Sequence, residues 1–380
     1  MKFSVSSSTL SAPLQALSKV INSKNTLSIL DSFLFEIENN RAKITASDQE
    51  TTIVSTVDLI SSDGDFSFCM NAKNIQEALK EIPDQPVEIS LNGNTNELKI
   101  AYQSGEFNFV AASSGEYPHM KPVGDRLGSL TLTASALLKG ISSTIFASAD
   151  DEIRPVMNGV VLDITSDSVT FVASDSHKLA RLVNTRFHGE GMEEGAHSTL
   201  IIRKKPMNIL KGLLGGKGDG EVNIVFGRNQ MMLQYGGLFM SSLLIEGRFP
   251  NYNAVIPQNN PFTVCVDRLT LVNAVKRVSI CSDPANSLIK LRIADNTLAL
   301  SSQNIDFSTS AEESLPCQYE GEEILIGFKS DFLLDILQNL ATSEVIFRLA
   351  DSARAGLVLP SENAEDEDLV MLLMPMMIKA

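Results

Sequence analysis

Residues 172–180 read VASDSHKLA, which puts Ser174, Asp175 and His177 within four positions. Those three side-chain types make a hydrolytic triad: a nucleophilic hydroxyl, a base to take its proton and a carboxylate to orient the base. The spacing argues against that chemistry. A triad converges from separate parts of a fold, whereas neighbours on an extended strand point to opposite faces. The chain holds no G-x-S-x-G elbow. His119, His177, His188 and His197 show no H-x-x-x-H or H-E-x-x-H spacing, and Cys69, Cys265, Cys281 and Cys317 form no C-x-x-C pair. Neither a metal site nor a disulfide scaffold is therefore expected, and the thiols read as reduced. No phosphate-cradling glycine motif appears; LLGGKGDGE at 213–221 reads as a loop at a helix end. The acidic ENAEDEDL at 362–369 reads as an exposed loop rather than a magnesium site. The sequence thus predicts no catalytic centre and no cofactor.

The elements that carry these residues repeat along the chain. Its 380 residues exceed what one hydrophobic core organises, and three segments begin alike: FSVSSSTLSAPLQAL at 3, LTLTASALLKGISS at 130 and FTVCVDRLTLVNAV at 262. Each is an alternating strand running into apolar residues at helical spacing, with Ser or Asp near the junction where a helix N-cap is wanted. A hairpin follows in each copy, LFEIENNRAKITASDQE, VLDITSDSVTFVASDSH and LRIADNTLALSSQNID, aligned so that Asp48 matches Asp175 and Gln303. A second strand-to-helix passage brings Lys73, Lys205 and Lys329 to equivalent places. The expected class is α+β, with three tandem domains at 1–126, 127–257 and 258–380, each holding two helices and roughly eight strands.

Charge is unevenly spread. The net charge is −15, yet the six predicted helices together carry +9 and the remainder −24. If the helices share a face, that face attracts a polyanion while the rest repels it; lysine's good helix propensity is the plainer account. No aromatic platform interleaves the lysines, so phosphate contact without base reading fits better than single-strand binding. MKFSVSSSTL lacks the apolar core of a signal peptide, and LVMLLMPMMI at 369–378 is about half a membrane span. A cytoplasmic location with no membrane partner is expected.

The pieces MKFSV, VASDSHKLA, LIEGRFPNY at 244–252, IGF at 326–328 and VMLLMPMMI near the end, taken in order, resemble the bacterial DNA polymerase III beta subunit family, the sliding clamps. The resemblance implies three copies of one domain per chain and a head-to-tail homodimer closing as a ring around double-stranded DNA. It implies as partners the replicative polymerase alpha subunit, the clamp loader and other proteins bearing a clamp-binding motif, such as repair polymerases, ligase and mismatch-repair proteins. Residue by residue, it places Lys24, Lys73 and the loop Arg154, Pro155 and Val156 near DNA; the helix charges add Arg203, Lys204 and Lys205. Pro155 and Val156 stand where the family's best-known members have a tyrosine pair. The implied dimer contact sets Phe107 and Phe109 against Ile280 and Cys281. The implied partner-peptide cleft comprises Met157, Ser174, Ser176, His177, Lys178, Leu179, Pro250, Val255, Phe332, Ala353 and Ala355. Its tail is Leu372, Leu373, Met374, Pro375, Met376, Met377 and Ile378, where methionine supplies adaptable apolar surface. Ala254 and Asn286 replace a familiar large basic and an aromatic residue. A peptide-binding scaffold that never encircles DNA is the alternative. The basic helices speak against it.

Overall fold

The computed structural model describes residues 1–151, 153–190, 197–215 and 219–378. Lys217 and the middle of the glycine-rich loop lie outside the described residues. Six α-helices are present among them: α1 (Ser7–Leu17), α2 (Ala72–Lys80), α3 (Ala134–Thr144), α4 (Lys204–Leu214), α5 (Arg268–Val278) and α6 (Ser330–Gln338). Two fall in each sequence repeat, as expected, and each repeat carries nine strands when two-residue strands are included.

Local chemistry accounts for these elements. Leu10, Leu14 and Leu17 line one face of α1 and are fully buried. Each contributes about 2 kcal/mol, which outweighs the roughly 3 kcal/mol cost of Pro13 inside the helix. Asp267 caps α5 by accepting the Thr270 N–H at 2.7 Å, and Asn71 caps α2 by accepting the Asn74 N–H at 3.1 Å. Ser6, at the N-cap position of α1, does not cap it with its side chain: its hydroxyl donates to the Asp84 carboxylate at 2.7 Å, a stronger acceptor. The polar residues at mid-hairpin do what their types suggest. Asn39–Asn40 and Asp295–Asn296 both have positive φ, the two-residue turn that suits strand twist.

The chain forms two compact units. The first comprises Met1–Ser135, His188–Met192 and Asn208–Leu244. It holds a five-stranded sheet ending in the edge strand Gly105–Val110, and a nine-stranded sheet whose middle strand, Leu238–Leu243, pairs with Thr51–Asp58. The second comprises Ala136–Phe187, Glu193–Met207 and Ile245–Ala380. Its nine-stranded sheet has Glu367–Leu373 in the middle, paired with Lys178–Asn184 from Lys178↔Leu373 to Asn184↔Glu367. Its four-stranded sheet runs Thr309–Pro316, Thr297–Asn304, Leu288–Ala294, Ile324–Lys329. The central repeat therefore supplies strands to both units, pairing with the first repeat in one and with the third in the other.

Candidate functional site

Strand Val169–Ser174, buried at every residue, delivers Ser174 to a tight turn. The Ser174 hydroxyl donates to the Lys178 carbonyl at 2.9 Å and accepts the Ser176 N–H at 3.2 Å. One Asp175 carboxylate oxygen accepts the N–H groups of His177 and Lys178, both at 2.8 Å. Ser176 takes φ +78°, and the His177 ring stacks on Phe332 with centroids 5.8 Å apart. Serine and aspartate are thus occupied in shaping backbone, and the imidazole faces neither. The same turn occurs one repeat earlier. Ser47 accepts the Gln49 N–H at 3.2 Å, Asp48 accepts those of Glu50 and Thr51 at 3.1 and 2.7 Å, and Gln49 has φ +79°. The first unit makes this turn without a histidine.

The second unit gathers much of the expected cleft around this turn. Met374 donates its N–H to the His177 carbonyl at 2.8 Å, and Met376 donates to the Gly327 carbonyl at 2.8 Å. Ile378 lies over Gly327, where a Cβ would meet it at 3.0 Å. Ser176 reaches the Met157 sulfur at 3.6 Å. Met157, Leu179, Ala355 and Leu372 belong to one buried cluster with Val172, Phe249 and Ile256. Leu373 is buried, whereas Met374 is 42% and Met377 94% exposed, and Pro375 stands between them. Lys178, only 7% exposed at its side chain, is compensated by Asp335 at 2.6 Å and Asp175 at 3.7 Å and lies 4.5 Å from the Phe332 ring centre.

Three expected cleft residues sit apart from this group in the contacts they make. Ala353 lies in an exposed loop where Asp351 accepts its N–H; that bond and the Arg354 N–H hold the Asp351 carboxyl below the usual range. Val255 is exposed at the end of the short helix Tyr252–Ala254. Pro250 lines a recess of about 580 Å³ with Asp163, Arg181 and His197. There Tyr252 donates to Asp163 at 2.6 Å; burial first, then that bond, raises its phenol. Sequence reasoning matched Lys329 to Lys73 and Lys205 but placed neither it nor Asp335 beside this turn. Asp335 is 157 positions from Lys178, and no local pattern joins them.

The basic residues fall into two settings. Lys24 is exposed in a loop of the first unit, and Lys73 is exposed on the first turn of α2, 3.9 Å from Glu77. Arg154 and Lys204 are already engaged. Arg154 pairs with Asp151 at 2.7 Å, which holds that carboxyl below its usual range, and also bonds the Ser176 hydroxyl. Lys204 pairs with Asp150 at 2.7 Å. Arg203 ends its strand, paired across to Gly159, and Lys205 is half-buried in the first turn of α4. Pro155 is exposed, while Val156 packs against the buried cluster.

Phe107 and Phe109 alternate along the edge strand Gly105–Val110, half-buried, with ring centres 6.1 Å apart. That strand pairs on one side only, leaving a row of backbone groups open. Ile280, 82% exposed, and half-buried Cys281 lie in the short helix after α5.

Among the described residues no group of three or more His, Cys, Asp or Glu is placed to hold a metal ion, and no helix is long and apolar enough to cross a membrane. Comparison with known proteins gives concordant matches. Family models for the N-terminal, central and C-terminal domains of the DNA polymerase III beta subunit match residues 1–121, 131–251 and 253–377. The beta sliding clamp of Pseudomonas aeruginosa is 27% identical over 380 residues, spanning 99% of this chain and all of that one. That of Escherichia coli K12 is 26% identical over 376 residues, spanning 99% and 100%. The crystal structure of a sliding clamp from Bartonella birtlesii bound to griselimycin is similar with a TM-score of 0.91 at 28% identity, covering 100% of both chains.

Proposed function

The chain belongs to the DNA polymerase III beta subunit family, and from that membership we propose that it is a DNA sliding clamp. Two copies join head to tail into a ring around duplex DNA, and the ring tethers the replicative polymerase alpha subunit to its template. A clamp loader opens it, and other proteins with a clamp-binding motif share its docking cleft. The observation that carries this reading is the run of three family domains in order along almost the whole chain. A head-to-tail contact whose rotation closes makes a ring rather than a filament. Charge segregation supports the same reading: the six α-helices carry a net +6 in a chain of net −15, which suits weak, mobile phosphate contacts, and a topological link makes tight ones unnecessary.

The clamp is a non-catalytic, cytoplasmic processivity subunit. Ser174 and Asp175 hold a turn, and His177 forms one wall of the docking site. The domains run 1–126, 127–257 and 258–380. The cleft is built around the 174–178 turn, Met157, Phe332 and the 374–378 tail. The dimer contact sets Phe107 and Phe109 of one copy against Ile280 and Cys281 of the other. Lys24, Lys73 and the 203–205 basic run approach the DNA backbone. The test is retention after loading on closed circular and on linear DNA. A sliding ring stays on the circle and runs off linear ends; equal loss from both would leave only a peptide-binding scaffold.

A further inference from the structure

Lys329 is the N-cap residue of α6, and its ammonium lies 4.8 Å from the centre of the Phe332 ring. The same half-buried ring is met by the Lys178 ammonium and the stacked His177 imidazole. The two lysines differ in one respect. Lys178 is buried and matched by Asp335 and Asp175. Lys329 has no carboxylate within ion-pair distance among the described residues, Asp331 two positions on included, and its three N–H donors meet no described acceptor. Phe332 removes part of its hydration while attracting its charge, and the first turn of α6 adds positive potential. The ammonium therefore stands partly desolvated and uncompensated, ready for an anion. Its place is defined: the tail crosses this strand at Gly327, two residues before Lys329, through the Met376 hydrogen bond. Exposed Met374 and Met377 mark the apolar side of the same strip.

We propose that Lys329 determines which partner segments this cleft prefers, selecting those that place an aspartate or glutamate beside Phe332, next to the apolar anchor seated among the tail methionines. This rests on the partner-cleft reading. Lys329 supplies a charge-assisted hydrogen bond to the carboxylate, and Phe332 together with His177 flanks it with aromatic surface. The occupant is an acidic–apolar peptide; a purely apolar one leaves the ammonium without an acceptor.

The test uses the full-length protein and a fluorescein-labelled decapeptide with a fixed apolar anchor, displaced by unlabelled versions carrying Asp, Asn or Lys at each flanking position in turn. At one position Asp should displace about three- to tenfold better than Asn, with the gap shrinking at high salt. Lys329→Met should erase that gap; Lys329→Arg should keep it. Displacement that shows no Asp preference, or one that survives in Lys329→Met, overturns the selectivity while the cleft stands. If the labelled peptide does not bind, the cleft reading falls and the selectivity with it.

Discussion

The backbone N–H of Met374 and the carbonyl of His177 are 2.8 Å apart, so the C-terminal tail departs from the apex of the Ser-Asp turn. The first unit makes the corresponding bond, Leu243 N–H to the Glu50 carbonyl, also at 2.8 Å. One junction recurs; only in the second unit does the chain continue as a methionine-rich end.

Removal of residues 374–380 should spare the sheet, because strand pairing stops at Lys178↔Leu373. Thermal unfolding should move by less than about 4 °C. Partner-peptide affinity, read by fluorescence anisotropy, should fall more than about tenfold if the exposed methionines supply the apolar anchor's surface. Undiminished affinity would take the tail out of the site.

In these Ser-Asp turns, loss of the carboxylate and relief of the positive φ should act in opposite directions. Asp175→Ala removes the acceptor of two backbone N–H groups and should cost about 1–2 kcal/mol in denaturant unfolding. Gln49→Gly relieves a side chain held at φ +79° and should stabilise by about 0.5 kcal/mol. Ser176→Gly should gain less, since its hydroxyl also contacts Arg154 and Met157.

Lys24→Glu with Lys73→Glu should weaken DNA association and lower the slope of log affinity against log salt by about two. Arg154→Ala should do less, because that guanidinium is already committed to Asp151. An unchanged slope in the double variant would show that neither lysine meets phosphate.

Phe109→Asp and Ile280→Asp should each convert dimer to monomer in sedimentation at low micromolar concentration, since each sets an unpaired charge into an apolar contact. A persistent dimer in both would place the interface elsewhere.

Asp267 gives a pH signature. Hydrogen bonds from the Thr270 side chain and backbone N–H hold its carboxyl below the usual range. A lowered folded-state value means that its contribution is complete above the unfolded value and fades as pH falls through the folded one, so below about pH 4. Asp267→Ala should cost about 1 kcal/mol at pH 7 and progressively less below about pH 4. An equal cost at pH 2.5 would exclude the carboxylate as the cap.

The sequence made the threefold repeat, both helices of each copy and the hairpin turns legible, because periodicity and turn residues are local properties. It also argued against the triad, since neighbours such as Ser174 and Asp175 on an extended strand point to opposite faces. It could not show that Leu238–Leu243 pairs with Thr51–Asp58 or Glu367–Leu373 with Lys178–Asn184, because either repeat could have closed on itself. The side-chain partners across those joins were hidden for the same reason. Lys178 with Asp335, and Arg181 with Asp368, are made by elements far apart in sequence.

Glu367–Leu373 occupies the middle position of a nine-stranded sheet, yet it follows its partner strand Lys178–Asn184 at a long remove in sequence. During translation, Lys178–Asn184 waits with one edge open until Glu367–Leu373 has emerged. The second unit therefore has high contact order, and its completion is tied to that strand rather than to the order of its repeats. A chain paused before Glu367 holds two half-sheets with open edges, which are substrates for chaperones and for aggregation. Docking of this one strand closes both edges at once.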